Sequence, residues 1–201
     1  MVTFTLVHDI VMYIMVGVIL LATYVIIERF IFFLATLREG KDVVGFIRSH
    51  LHDKSLHGEI LDAFKNHKSP QARAICEVVE AAQENHGHEQ MEYIAQSIYV
   101  EKQPAVVARL WMLDTIITLS PLMGLLGTIL GIIDAFYSLS SGSVAADPAA
   151  VSRGIGTALY ATGVGIFIAM YAMLFYNYFN TKAEEVTNQM KLITLTLLGA
   201  R

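Results

Sequence analysis

One cysteine, Cys76, occurs in the 201-residue chain, so an intrachain disulfide is excluded and the redox compartment stays open. Cys76 itself reads as a helix residue and not as a reactive thiol. Charge is scarce too: Asp, Glu, Lys and Arg make up 16% of the residues, against about 25% in soluble globular chains. The net charge of −4 says little, because in an apolar chain the location of charge matters more than its sum. Catalytic signatures are missing as well: there is no Gly-rich phosphate loop, no His-Glu-x-x-His and no nucleophile elbow. The chain is therefore read as a non-enzyme, with no cofactor and no nucleic-acid partner.

The places where charge is absent locate the apolar segments. No charged residue occurs between Thr115 and Ile133, between Gly154 and Thr181, or between Ile10 and Ile27. Each stretch approaches or exceeds the roughly 20 apolar residues that a spanning helix requires. The mean hydropathy of +0.53 agrees. A secretory signal peptide would place basic residues ahead of its apolar core, whereas no Lys or Arg precedes Arg29. The first stretch is read as a retained span, and the fold class is an all-α integral membrane protein with three transmembrane helices and long helical extensions.

Two of these spans have unusual interiors. Phased at about 100° per residue, Ser120, Gly124, Gly127, Gly131, Ala135 and Ser138 share one face of the second span, with Thr128 at its edge and Leu122, Leu126, Ile129 and Ile133 opposite. On the third span Gly154, Ala158, Ala161, Gly165, Ala169 and Ala172 share a face, backed by Tyr160, Phe167, Leu174 and Tyr178. Helix association in lipid depends on close backbone packing, which small residues allow. Gly124, Gly127, Gly131, Ala158, Ala161 and Gly165 are thus the helix-packing residues. The faces could merely pack the two helices against each other, but two long ones in one small protein are read instead as serving a multi-subunit assembly.

The segments PLMGLLGTILGIIDAF and GIGTALYATGVGIFIAMYAMLFYNYF together resemble the ExbB/TolQ/MotA family of inner-membrane stator subunits, and are most similar to ExbB and TolQ. The N-terminal span ending in Ile-Glu28-Arg29-Phe and the long middle segment fit the same pattern, whereas the four spans of MotA do not. The resemblance implies a homopentamer around an ExbD- or TolR-like single-span protein. It further implies that proton passage drives a motor that energises a TonB- or TolA-like protein from the bacterial inner membrane. ExbB-type support of outer-membrane transport and TolQ-type envelope work both stay open, as do H⁺ and Na⁺.

Orientation follows from the cations. Lys and Arg occur from Arg29 to Arg109, at Arg153 and from Lys182 onward, and are absent from residues 140–152. Arg29, Arg38, Lys41, Lys182 and Lys191 place the middle region and the tail in the cytoplasm and the N-terminus in the periplasm. Arg153, at the outer end of the third span, can snorkel to the headgroups. The organisation expected is a first span within residues 1–37, a cytoplasmic helical region 38–111, a second span 112–139, a periplasmic connection 140–152, a third span 153–180 and a cytoplasmic tail 181–201.

Within the middle region, Ser69-Pro70 can open a helix from Gln71 to Glu84, the Asn85-His86-Gly87-His88 run interrupts it, and Pro104 should bend or restart the next helix. Six of the seven histidines fall here: His50, His52, His57, His67, His86 and His88. The His86-Gly87-His88-Glu89 run offers three candidate ligands without a matching fourth, and i and i+2 positions diverge on a helix. These are read as solvated histidines, and no metal site is expected.

An ionisable group at mid-membrane marks function by default, and none is present here. Asp114 and Asp134 sit near the ends of the second span, with Asp134 a candidate charge at the outer mouth. The interior offers hydroxyls at Thr128, Thr157 and Thr162, the candidate pore-lining residues. The resemblance implies that the partner helix supplies the titrating aspartate and that Thr128 and Thr162 line the space around it. Thr157 stands where the family's GIAEALxAT pattern carries glutamate, and Tyr171 where its AIPA carries proline. Two rival readings accompany this one. A solute permease subunit would need a midplane substrate site, for which neither an internal repeat nor a discontinuous helix is visible. A structural scaffold would use the small faces only to build an oligomer.

Overall fold

A computed structural model describes the backbone of residues 2–50, 56–65, 67, 69–83, 87–140 and 148–199. Among these residues the chain forms six helices: α1 (Val2–His50), α2 (Leu56–Phe64), α3 (Pro70–Gln83), α4 (His88–Val107), α5 (Leu110–Ser140) and α6 (Pro148–Gly199). Three helices are long and apolar enough to cross a membrane, over Val7–Ile47, Leu110–Tyr137 and Val151–Thr194. The all-helical fold with three apolar helices expected from the sequence is thus the fold observed.

Helix length carries an argument of its own. The 49 residues of α1 and the 52 of α6 correspond to about 74 Å and 78 Å at 1.5 Å per residue. A bilayer core is about 30 Å thick. Both helices therefore continue well beyond any hydrocarbon layer they cross.

The chain divides into two compact units. The first comprises Met1–Ile27 and Arg109–Asn177. Its buried residues are small or aliphatic: Val11, Met15, Ala22 and Val25 from α1, Leu113, Ile116 and Ser120 from α5, and Ala158, Ala161, Ile168 and Ala172 from α6. The second comprises Glu28–Ala108 and Tyr178–Arg201. There Val43, Ile47, Ile60, Phe64, Ala72, Ile75, Val79 and Ile193 form an apolar core drawn from α1, α2, α3 and α6. Phe33 and Phe179 stack at 5.7 Å between centroids, and Lys102 on α4 bonds Glu77 on α3 at 2.7 Å. Hydrogen bonds from Lys102 to Glu101 and Glu77 hold its ammonium above the usual lysine range.

Local chemistry sets the helix ends of the second unit. Ser69 Oγ accepts from the Ala72 amide at 3.4 Å, and Pro70 at the first helical position forfeits only a donor that would have no intrahelical partner. Gly87, extended at φ −64° and ψ 158°, precedes α4. Pro104 does not restart the chain, because α4 runs through it to Val107. The amide lost at Pro104 would have bonded Val100, which is exposed and can turn its carbonyl to solvent. The break comes instead at Ala108 and Arg109, where Arg109 takes φ +62°.

Arg29 is the notable buried cation of this unit. Only 4% exposed, it pairs with Glu28 at 2.9 Å, donates to the Val106 carbonyl at 3.5 Å and stands 4.8 Å from the Phe32 ring centroid. A guanidinium at the carboxyl end of α4 meets the negative end of that helix's dipole. In the sequence Arg29 marks orientation and closes the first span within Ile-Glu28-Arg29-Phe, and neither role shows its burial. What would have singled it out is the adjacent Glu28, together with the cost of burying a cation without partners.

Candidate functional site

The seam between α5 and α6, inside the first unit, gathers most of the residues singled out from the sequence. A Cβ placed on Gly131 would lie 2.8 Å from Ala158 Cβ, one on Gly127 2.8 Å from Ala161 Cβ, and one on Gly165 2.5 Å from the Ser120 carbonyl. Gly154 meets Ala135 Cβ at 3.0 Å in the same sense. The two small faces therefore close on each other within one chain. The bulky residues behind them, Leu122 and Ile129 on α5 and Tyr160, Phe167 and Leu174 on α6, stay exposed. Those outward faces are what one chain offers to lipid or to further subunits.

At the edge of this seam two hydroxyls meet. Thr128 Oγ1 and Thr162 Oγ1 are hydrogen bonded to each other. Thr128 Oγ1 also lies 3.1 Å from the Gly124 carbonyl and 3.2 Å from the Ala158 carbonyl, and Thr162 Oγ1 lies 3.0 Å from the Gly124 carbonyl. Two hydroxyl protons thus serve three acceptor directions, since each hydroxyl has one proton and two lone pairs. The arrangement is satisfied yet rotatable. Both threonines are half-buried, so the pair borders the seam instead of being sealed inside it.

The chemistry available follows from magnitudes. A bond from either hydroxyl to a neutral backbone carbonyl contributes about 0.5 to 1.5 kcal/mol, whereas one to a carboxylate contributes about 1.5 to 3 kcal/mol. A carboxylate brought to this edge would outcompete the carbonyls for the hydroxyl protons. A protonated carboxyl would instead find lone pairs to donate to. The pair can therefore solvate either protonation state of an acid that it does not itself contain.

Thr157 is not part of this cluster. It is exposed, and its hydroxyl donates to the Gly154 carbonyl at 3.0 Å. Five residues from Thr162, it is rotated by about 140° around α6. Asp134 is half-buried on α5 and engaged in interactions of its own. Tyr171 stands 3.5 Å from Thr23 Oγ1, oxygen to oxygen, and packs edge-on against Phe175. Because the Thr23 hydroxyl is directed to the Ile19 carbonyl at 2.8 Å, the tyrosine is the donor. α6 passes through this position without interruption.

Of the histidines in the middle region, His67 has a described side chain, exposed and 5.5 Å from the Phe64 ring. The side chains of His50, His52, His57, His86 and His88 lie outside the described residues. Among the described residues, no group of three His, Cys, Asp or Glu is placed to hold a metal ion.

Residues 66–192 match the model of a family described as the MotA/TolQ/ExbB proton channel family. The ExbB-like 3 biopolymer transport protein of Synechocystis sp. is 33% identical over 188 residues, covering 89% of this chain and 88% of that protein. An ExbB homolog of Methanothermobacter thermautotrophicus is 28% identical over 135 residues, 67% of this chain and 47% of its own length. The Tol-Pal system protein TolQ of Pseudomonas aeruginosa is 36% identical over 97 residues, 47% of this chain and 42% of its own length.

Proposed function

Because this chain belongs to the MotA/TolQ/ExbB proton channel family, we propose that it is an ExbB/TolQ-like stator subunit whose Thr128 and Thr162 line the path of an ion carried on a partner's carboxylate. The single observation behind this reading is the rotatable hydroxyl pair at the α5–α6 seam, set in helices without a charged residue from Thr115 to Ile133 and from Gly154 to Thr181. A chain that moved protons unaided would need a titrating group at that depth. Here the acid is imported: an ExbD- or TolR-like single-span protein inserts an aspartate beside the threonines. The proton motive force then drives the complex to energise a TonB-like protein for outer-membrane transport.

The remaining assignments belong to the same proposal. The protein is a pentamer in a bacterial inner membrane, with residues 140–152 periplasmic and 38–111 and 181–201 cytoplasmic. Since the small faces meet within the chain, neighbouring subunits associate through other faces of the spanning helices. Tol-Pal-type envelope work with a TolA-like partner is the second reading, favoured by the similarity to TolQ. In this reading the chain acts as a channel and motor part and not as an enzyme.

The test is ion flux in proteoliposomes with and without a co-purifying single-span protein that carries a membrane aspartate. Flux is expected only in the presence of that partner. Wild-type flux from this chain alone, or failure of any such protein to co-purify, would overturn the proposal.

A further inference from the structure

A groove of about 430 Å³ lies between α1 and α6 in the second unit. Its lining includes Val44 from α1 and Glu184, Glu185, Asn188, Gln189 and Leu192 from α6. Glu185 is bonded to Lys182 at 2.8 Å. Glu184 is exposed and without an ion pair among the described residues. The floor is held from behind: Gln189 Oε1 accepts from Gln71 Nε2 at 3.1 Å, and Gln71 Nε2 also reaches the Thr36 carbonyl at 3.4 Å. Gln71 is fully buried, with its own Oε1 unpartnered. Gly40 makes this possible, because a Cβ there would sit 2.5 Å from both amide side chains. With its oxygen engaged by Gln71, Gln189 keeps its NH₂ donors for whatever occupies the groove.

We propose that this groove docks the Lys/Arg-rich flank that a single-span membrane partner carries immediately cytoplasmic to its span. The inference rests on the orientation and partner reading given above. The charge-free run of α6 ends at Thr181 and the groove residues follow it, which on the orientation given above puts the groove at the cytoplasmic end of the third span. On the cytoplasmic side short flanks of membrane proteins carry excess Lys and Arg. An acidic groove at that level is complementary to such a flank, whereas basic surface would repel it. Glu184 takes an incoming cation directly, and Glu185 exchanges Lys182 for a second. Val44 and Leu192 receive the aliphatic stems of the same side chains. Asn188 and the Gln189 donors hold the extended backbone between them.

The experiment places a photoreactive benzoylphenylalanine at position 188 of the full chain, cross-links in intact cells and identifies the linked peptide by mass spectrometry. The expected product joins position 188 to a peptide within about 15 to 20 residues of a single apolar span, the range over which flanking cations act. Yield should fall about tenfold in the Glu184→Lys, Glu185→Lys protein, because cation then faces cation. The Glu184→Gln, Glu185→Gln protein should lie between, and it provides a milder comparison should the reversed protein assemble poorly. A product joining position 188 to a second copy of this chain, no peptide product, or undiminished yield after charge reversal would overturn the proposal. If a single-span protein co-purifies at wild-type ratio while the product maps elsewhere, the groove assignment alone falls. If no such protein co-purifies, the functional reading falls with it.

Discussion

Gly124 on α5 and Thr162 on α6 approach so closely that a Cβ on the glycine would lie 2.9 Å from Thr162 Cα and equally near the Ala161 carbonyl. Both obstacles are backbone, which cannot rotate aside. Gly124→Leu should therefore separate the two helices, lowering thermal stability in detergent by several degrees and displacing the threonine pair. Gly163, one residue beyond Thr162, has nothing within 4 Å of its Cβ position. Gly163→Ala should be tolerated and should stabilise α6 by about 1 kcal/mol through helix propensity. Equal effects at the two positions in a thermal-shift measurement would contradict the seam as described.

Arg109 holds φ +62° at the break between α4 and α5. Asn visits that region readily, whereas β-branched residues are true outliers there. Both Arg109→Asn and Arg109→Val remove the guanidinium, so their difference isolates the backbone. The valine protein should be less stable than the asparagine protein by about 1 to 2 kcal/mol. Matching melting curves for the pair would reject the strained turn.

Cys76 offers a chemical check on the second unit. Burial, followed by the carboxylates of Glu80 and Glu77, raises its thiol above the usual value. The thiolate is the reactive form. At pH 8 to 9 iodoacetamide should alkylate Cys76 more slowly than an unfolded control, with the difference closing as pH rises and the folded thiol finally ionises. Alkylation at the unfolded rate in the native protein would show that this face of α3 is open to solvent.

The three long apolar helices were legible because missing charge is a strong signal over 20 residues. The α5–α6 pairing was legible in kind, since only small residues permit Gly131 to approach Ala158. Periodicity alone did not show that the two small faces would be used on each other. It says which face is thin and is silent about what covers it. The burial of Arg29 and Gln71 is hidden for a related reason: buried polar residues are found through partners distant in sequence, and Gln71 finds Gln189 across 118 positions. Pro104 does not end α4, because an exposed helix tolerates one missing hydrogen bond where a buried one would not.

Tyr171 donates to Thr23 where the family pattern carries proline. Replacing the hydroxyl in Tyr171→Phe should cost about 1 kcal/mol, the net value of one neutral hydrogen bond, and leave α6 intact. Tyr171→Pro should do more, removing a backbone donor and bringing its ring against the Phe167 carbonyl, at about 3 kcal/mol or more. Thermal unfolding of the two variants in one detergent gives the order. A proline variant as stable as the phenylalanine variant would show that α6 bends at this point without cost.

The hydroxyl pair supports the sharpest test of function. Thr128→Val and Thr162→Val each exchange a hydroxyl for a methyl of similar size, so the seam closed by Gly124, Gly127 and Gly131 should stay packed and oligomer yield unchanged. What is lost is the capacity to solvate a charged carboxylate, which otherwise faces a desolvation cost of several kcal/mol. Losing one charge-assisted bond of about 1.5 to 3 kcal/mol should slow partner-dependent flux roughly tenfold or more, because each 1.36 kcal/mol added to a barrier is tenfold in rate. The double variant should be slower than either single one, by less than the product of the two effects, since the hydroxyls share a hydrogen bond and are not independent. Thr157→Val should leave flux near wild type, because that hydroxyl is turned toward the Gly154 carbonyl on another face. Flux in proteoliposomes at matched protein and partner content is the measurement. Wild-type flux from the double variant, or a loss at Thr157 equal to that at Thr128, would remove these threonines from the ion path.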